Sequence, residues 1–366
     1  MEHTNPQLES LNGASHIGFR TTSRHPSLAM VMCIHDEAPF LPANLAWHHA
    51  AGVEKVYLFL DHCTDPSEEI ARDHPWVDII HLDHPPGIRF MREYQNQCVD
   101  IALERAREDG FDWLLHLDAD ELAFGGTPRI QKPDAPEPSA FQRLVNHLSG
   151  RPVNDALKNA NLPRMLANVH PDTQQVILQT HETIPAPVDN TASFWHNAYF
   201  QSGHPIHQEI LNPISGETET VTRFIGHNQG KAIARTNADL QTFNQHRFTT
   251  NQNIPAPDYP EDIPIPTETL GAHFHYPVVS PEQWLKKFRQ FAEFSKTWSS
   301  GVGLPFPRRA WREATLTMNE SQAAEYLHQG LFLSPDQLDK LNRDNKIQFH
   351  PEVPLILNAL LSSPHL

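Results

Sequence analysis

Two periods of hydrophobic and polar positions alternate along the first third of the chain. The apolar run LAMVMCI (28–34) has the length of one buried strand. PFLPANLAWHHAAG (39–52) places Leu41, Leu45 and His49 at helical spacing and stops at Gly52, a residue suited to a helix end. KVYLFLD (55–61) is rich in β-formers and predicts a second strand. DPSEEIARDH (65–74), acidic in its first turn, predicts a short helix, and VDIIHLD (77–83) a third strand. PPG (85–87) breaks the chain before a long helix over 89–110, with Tyr94, Cys98, Ile101 and Ala102 inward and Gly110 at its end. DWLLHLD (112–118) predicts the fourth strand.

Strands separated by helices imply a parallel sheet with right-handed crossovers, an α/β fold. The remainder has another texture. Most of the 32 prolines lie beyond residue 125, beginning with a Pro-rich loop after Phe124. A helix is expected at 141–148 and strands at 193–200, 218–226 and 231–236, while 150–193 shows no clear period. SPEQ (280–283) and SPDQ (334–337) each join a Ser cap, a Pro at the first helical position and a Gln that completes a capping box. They predict helices over 280–298 and 334–344. No repeat of solenoid length is present.

The formal net charge of −16 argues against a nucleic-acid partner, which needs a basic face, and against a polybasic membrane anchor. No apolar run approaches the ~20 residues of a transmembrane helix, and the N-terminus lacks a signal-peptide core. Cys33, Cys63 and Cys98, sparse and odd in number, suit a reducing compartment and read as small buried thiols.

Acid gathers where strands end: HDE (35–37), DHCTD (61–65) and DADE (118–121). Ligands of open α/β sheets bind outside the carboxyl ends of the strands, so these clusters form one rim. Asp118 and Asp120, one residue apart, can reach a common point. Like charges about 4 Å apart repel by roughly 4 kcal/mol at an effective dielectric of 20. A divalent cation removes that cost, and hard oxygen ligands suit Mg²⁺ or Mn²⁺ with a substrate diphosphate completing the shell.

The stretch MVMCIHDEAPFLPANLAWHHAAGVEKVYLFLDHCTD, the helix bearing Arg92, Gln95 and Asn96, and DWLLHLDADELAF together resemble the GT-A glycosyltransferases, in particular a family-2-like and family-92-like subgroup. FWHNAYFQSGH, GKAIAR, NQHRF and HFHYPVVSPEQWLKKF are weaker echoes of later segments of that subgroup. Asp36 replaces its usual Asn, His62 and Cys63 its Asn and Ser, and Leu122 its Phe.

The resemblance implies a GT-A, Rossmann-like, mostly parallel sheet flanked by helices with a C-terminal helical extension. It divides the chain into a disordered tail (1–27), a transferase domain (28–278) and a helical region (279–366). The transferase domain has a nucleotide-binding half (28–124) and an acceptor-side half (125–278). It implies transfer of a sugar, with inversion, from a nucleoside-diphosphate donor, UDP-sugars favoured, to a hydroxyl of a glycan or glycoconjugate. Glu37, Asp61, Asp65, Arg92, Gln95, Asp118, Lys231 and Arg235 are then donor-binding candidates. Asp65 serves equally as the cap of the following helix, and Arg92 and Gln95 equally as a solvated helix face. Asp118 and Asp120 would hold the metal with His246 or His275, His246 favoured because it follows GKAIAR. Asp120 would serve the chemistry through that metal, and Glu121 would orient the pair or bind the sugar. Glu209 and Asp239 are both candidates for the general base. Trp195 and His204 are candidates for the sugar or acceptor site, with a core role the stronger reading for Trp195. The expected location is cytoplasmic, including the inner face of a membrane. A nucleotidyltransferase or sugar-phosphate enzyme is the alternative, but HDEAPF lacks the Gly-rich basic loop it requires. A non-catalytic carbohydrate-binding relative is a further alternative.

Overall fold

The computed structural model describes residues 25–83, 91–128, 151–185, 193–201, 206–211, 215–223, 229–244, 246–250, 265–292 and 308–362. The expected tail through residue 24, the PPG break, the helix at 141–148 and His204 lie outside them. The first third contains β1 (Leu28–Ile34), α1 (Leu41–Ala50), β2 (Lys55–Leu60), α2 (Ser67–Arg72), β3 (Val77–Ile80), α3 (Met91–Glu108), β4 (Trp113–His116) and β5 (Glu121–Phe124). The middle contains α4 (Arg151–Ala160), α5 (Leu162–Leu166), β6 (Gln175–Glu182), β7 (Tyr199–Gln201), β8 (Ile206–Leu211), β9 (Thr218–Arg223), β10 (Lys231–Arg235), β11 (Leu240–Asn244), β12 (Arg247–Thr250) and β13 (Thr267–His275). The last part contains α6 (Pro281–Ala292), α7 (Arg308–Thr317), α8 (Glu320–Leu331), α9 (Pro335–Arg343), β14 (Ile347–Phe349) and α10 (Glu352–Leu361).

The fold is mixed α/β. Eight strands form one sheet in the order β3-β2-β1-β4-β10-β6-β13-β5. The pairings make β3, β2, β1, β4, β6 and β13 run one way, with β10 and β5 opposed. Residues alternate between its two faces as the strand period requires. Leu28, Met30, Met32 and Ile34 pack in one layer with Leu45 and Trp47 of α1 and Val353, Ile356 and Leu357 of α10. Ala29 and Val31 pack in the other with Val99, Ala102, Leu103 and Ala106 of α3. Burial on both faces is why these strands read as continuous apolar runs.

β4 and β5 are joined by residues 117–120 alone, yet three strands separate them in the sheet. Four strand spacings of ~4.8 Å exceed what so short a link reaches once it contains a turn, so this half of the sheet curls and the link crosses it as a chord. The turn is closed by Glu121 N–H on the Asp118 carbonyl at 3.2 Å.

Helix ends follow the sequence signals with one exception. Gly52 takes φ +99° just past α1 and donates to the His49 carbonyl. Ser334 and Gln337 form the full capping box of α9. At α6, Ser280 accepts the Gln283 N–H at 3.1 Å, but the buried Gln283 Oε1 has no partner among the described residues, so only half of the expected box forms. SFWHNAYF is a 3-10 turn (Phe194–His196) leading into β7 rather than one strand.

Candidate active site

The chain builds β1, β2 and β3 outward, then returns to place β4 on the other side of β1. That reversal makes a topological switch point, the crevice where open α/β sheets take ligands. Asp36 and Glu37 leave β1 on one bank; Asp118, Asp120 and Glu121 leave β4 on the other. Glu182 ends β6 and His275 ends β13, both on this edge. Because β10 and β5 run in opposition, their first residues, Lys231 and Glu121, lie there too.

The acidic turn is held from beneath by Asn44. This fully buried side chain donates to the carbonyls of Ala119 (3.0 Å) and Glu121 (2.9 Å), with Asp118's at 3.5 Å. Its Oδ1 faces His48 Nδ1 at 2.9 Å, while His48 Nε2 accepts the Ala123 N–H at 3.0 Å. The imidazole is therefore the Nδ1–H tautomer, and burial pushes its pKa down to about 4. From above, Tyr276 N–H donates to the Asp120 carbonyl at 2.9 Å.

The carboxylates that repel on paper are separately matched by lysines. Lys231, whose side chain is 2% exposed, sits 2.7 Å from Asp118 Oδ2 and 3.1 Å from Glu121 Oε2. Lys287, on α6, sits 2.9 Å from Asp120 Oδ2, and its neighbour Lys286 3.5 Å from Asp36 Oδ2. Glu121 Oε2 also accepts the Asp118 N–H at 3.0 Å. Desolvation by itself would raise Asp118, but Lys231 overrides it and holds this carboxyl well below the usual range. Burial pushes Lys231 and Lys287 down, and their acidic partners more than restore them. Glu121 and Glu37 lean the other way: burial lifts them to about 7 and about 8 against the pull of Lys231 and Lys287 respectively. One crevice thus holds an ionised Asp118 and a protonated Glu37 near neutral pH.

His275 is set between acids, Nδ1 3.3 Å from Glu182 Oε2 and Nε2 3.8 Å from Asp120 Oδ2. Burial disfavours its cation, but the Glu182 hydrogen bond and the charges of Asp120 and Glu121 raise its pKa. His273, two residues earlier on the same strand face, lies 3.5 Å from Glu121 Oε1 and is pushed well down by burial.

The structure brings Glu37, Asp118, Asp120, Glu121 and Lys231 to this edge. Asp61 and Asp65 lie beside it after β2. Asp65 uses its carboxylate on backbone, accepting the N–H groups of Ala38 (2.9 Å) and Ser67 (3.1 Å). Gln95 is half-buried on α3; the Arg92 side chain lies outside the described residues. Trp195 donates from Nε1 to Asn358 Oδ1 of α10 at 2.9 Å, next to Phe194, which packs on Phe40 and Tyr276. Glu209 is exposed on the β8–β9 hairpin. Arg235 and Asp239 are not brought to the crevice. Arg235 pairs with Trp113 at the start of β4 and stacks 4.2 Å over its ring, at the opposite edge of the sheet, and the exposed Asp239 follows it there.

The expected metal trio does not converge. His246 turns Nδ1 to the Gly230 carbonyl at 2.9 Å. Asp118, Asp120 and His246 do not form a set of ligand atoms within reach of one ion among the described residues. The set that does, Asp36, Cys63 and Asp65, has its carboxylates on Thr64, Asp65, Ala38 and Ser67 and a thiol pushed up to about 11 by burial. That is a pair of interlocked turns, poor in free ligand atoms.

The pair that suits Mn²⁺ or Mg²⁺ is instead Asp120 facing His275, while Asp118, held by Lys231, does not bring a ligand atom within reach of the same ion among the described residues. There Lys287 is a competitor. A divalent cation and an ammonium about 4 Å apart repel by roughly 8 kcal/mol at an effective dielectric of 20, so the two exclude one another.

Sequence reasoning missed Lys287, Glu182, His273 and Asn44. The Lys-Lys pair ten residues after HFHY and the i, i+4 Asn44–His48 spacing were the available signals.

No family model matches the chain, and no curated protein matches it in sequence. Solved structures similar in part include glucosyl-3-phosphoglycerate synthase from Mycobacterium tuberculosis in complex with Mn²⁺ and UDP-glucose, at 13% identity and TM-score 0.24, over 43% of this chain and 44% of that one. Mannosyl-3-phosphoglycerate synthase from Rubrobacter xylanophilus matches at 13% and 0.23, over 43% and 41%. 4-Diphosphocytidyl-2C-methyl-D-erythritol synthase from Anaerococcus prevotii DSM 20548 matches at 8% and 0.25, over 58% and 71%. The chain spans less than half the length of the first two. Among the described residues, no helix is long and apolar enough to cross a membrane.

Proposed function

We propose that the chain is a glycosyltransferase that moves a sugar from a nucleoside-diphosphate donor, UDP-sugars favoured, to a hydroxyl of a glycan or glycoconjugate, with inversion. The observation that carries this reading is the meeting of Asp118, Asp120, Glu121 and Lys231 with Glu37 at the switch point between β1 and β4. Such a crevice takes a nucleotide, and its charges suit a diphosphate leaving group.

Glu37 and Asp61 accept from base or ribose. Asp120 and His275 would hold a divalent cation, which would supply neutralisation of the leaving diphosphate. Lys231 adds fixed positive charge and keeps Asp118 ionised. Glu121 orients Asp118 through its backbone N–H, and Glu182 fixes the His275 ring. Trp195, beside Phe194, is kept as a candidate for the sugar or acceptor site. Of the two carboxylates expected as general base, Glu209 is retained and Asp239, at the opposite edge, is not. Arg235 is likewise left out of the donor site.

Calorimetric titration with UDP, GDP and TDP, with and without Mn²⁺, tests the proposal. Metal-dependent UDP binding that Asp120→Ala abolishes is expected. No binding of any nucleotide under either condition sinks it.

A further inference from the structure

We propose that Lys287 is a two-position residue: it closes Asp120 in the ligand-free protein and transfers to the donor's diphosphate when a divalent cation takes Asp120. This rests on the glycosyltransferase reading and adds a binding residue to it.

The geometry begins with one oxygen. Asp120 Oδ2 is addressed at once by Lys287 Nζ at 2.9 Å and His275 Nε2 at 3.8 Å. An ion shared by the carboxylate and the imidazole needs that atom, and an ammonium cannot stay on it. The displaced lysine then needs a new anion, because its carboxylate partner is spent.

Its surroundings allow the exchange. The Lys287 side chain is 29% exposed, whereas Lys231 is 2% exposed and pinned by two carboxylates. Lys231 is the immobile cation of the site and Lys287 the movable one. Five residues separate the end of β13 from the start of α6, so the helix carrying Lys287 hangs directly from the strand carrying His275. Its two lysines touch opposite banks, Lys286 at Asp36 after β1 and Lys287 at Asp120 after β4. The helix therefore lies across the crevice where a diphosphate would enter. An ammonium on a flexible stem is suited to take up phosphate charge there.

Mn²⁺ titrations of wild type, Lys287→Met and Lys287→Arg, by calorimetry and by the paramagnetic resonance of free Mn²⁺, test this. UDP titrations at saturating Mn²⁺ complete the set, and melting curves establish that each variant is folded. Removing the competitor in Lys287→Met raises Mn²⁺ affinity on the order of tenfold without nucleotide, because the cation-accepting state no longer has to be freed. The same variant binds UDP on the order of tenfold more weakly in Mn²⁺, having lost a phosphate contact. Lys287→Arg stays near wild type in both. A lysine that merely braces the fold would not move the two affinities in opposite directions. If wild type binds both ligands and Lys287→Met matches it, or loses Mn²⁺ affinity, the exchange is overturned and the parent reading stands. If wild type binds neither, both fall together.

Discussion

Lys231 and Asp118 stand 113 residues apart in sequence and 2.7 Å apart in space. Their contact joins the start of β10 to the end of β4 and, through Glu121 at 3.1 Å, to the start of β5. A lysine this buried is tolerable only because two carboxylates surround it.

Lys231→Met should therefore be costly. It leaves Asp118 and Glu121 facing one another without a cation, and breaking a buried ion pair typically costs ~3–5 kcal/mol. Asp118 is partly open to water, which places the expected loss near ~3 kcal/mol. Urea unfolding at neutral pH measures it. A loss under ~1 kcal/mol would show that Lys231 does not hold the turn.

Asn44→Ala tests the clamp under the same turn. It removes the side-chain donor from the carbonyls of Ala119 and Glu121, buried groups worth ~1–3 kcal/mol each when unsatisfied, while His48 Nδ1–H keeps the Asn44 backbone carbonyl at 2.9 Å. A fall in stability of at least ~2 kcal/mol is expected, together with weaker nucleotide binding in protein that remains folded. Unchanged affinity in folded protein would separate the clamp from the site.

Glu37→Gln should stabilise the protein, and increasingly so as pH rises from about 5 to 8. Its folded pKa of about 8 lies above the unfolded value of 4.5. The folded form's advantage is thus full below pH 4.5 and is lost as pH rises through 8. Gln stands in for the protonated acid, so the variant should match wild type near pH 5 and exceed it by a few kcal/mol near pH 8, at ~1.4 kcal/mol for each pH step between the unfolded and folded pKa. Equal unfolding curves at both pH values would place Glu37 in water.

Buried histidines make the fold acid-sensitive. Burial lowers His48 and His181 to about 4 and His116 to about 3. Unfolded histidines take protons near pH 6.5, so stability is intact above that value and is lost as pH falls from 6.5 toward 4. These three groups contribute ~4 kcal/mol per pH unit near pH 5 and His273 adds to them, while Glu37 and Glu121, lifted to about 8 and about 7, offset part of that slope. Denaturation followed from pH 7.5 to 5 in wild type and in His181→Phe, among the rings of Phe274 and His350, reads one such contribution as a slope lower by ~1.4 kcal/mol per pH unit near pH 5.

What the sequence revealed follows from how each element is buried. β1, β2 and β4 are apolar on both faces and were readable as runs, and α1 and α3 carried their period and terminal glycines. β13 was not readable, because its first half, TETLG, is polar and partly exposed and only AHF is buried. β5 was hidden inside the acidic motif itself, since its partner lies 150 residues later. Lys231 and Arg235 looked like one basic segment, but a strand rises ~3.3 Å per residue, so four steps carry the second to the far edge. The carboxylates of the site could be located from the end of a strand. Their counter-ions could not, because a lysine on an amphipathic helix reads as solvent-facing by default.

The pairing of Glu121 with His275 has a consequence for how the molecule comes into being. A chain made from its N-terminus completes β1 to β4 early and then carries an acid run whose neighbours do not yet exist. Lys231 arrives more than a hundred residues later and Lys287 later still. Through most of synthesis the acidic turn repels itself, and this end of the sheet has no reason to curl. The early strands are free to pair while the crevice waits for the last third of the chain, so its carboxylates meet their lysines only as the fold is completed.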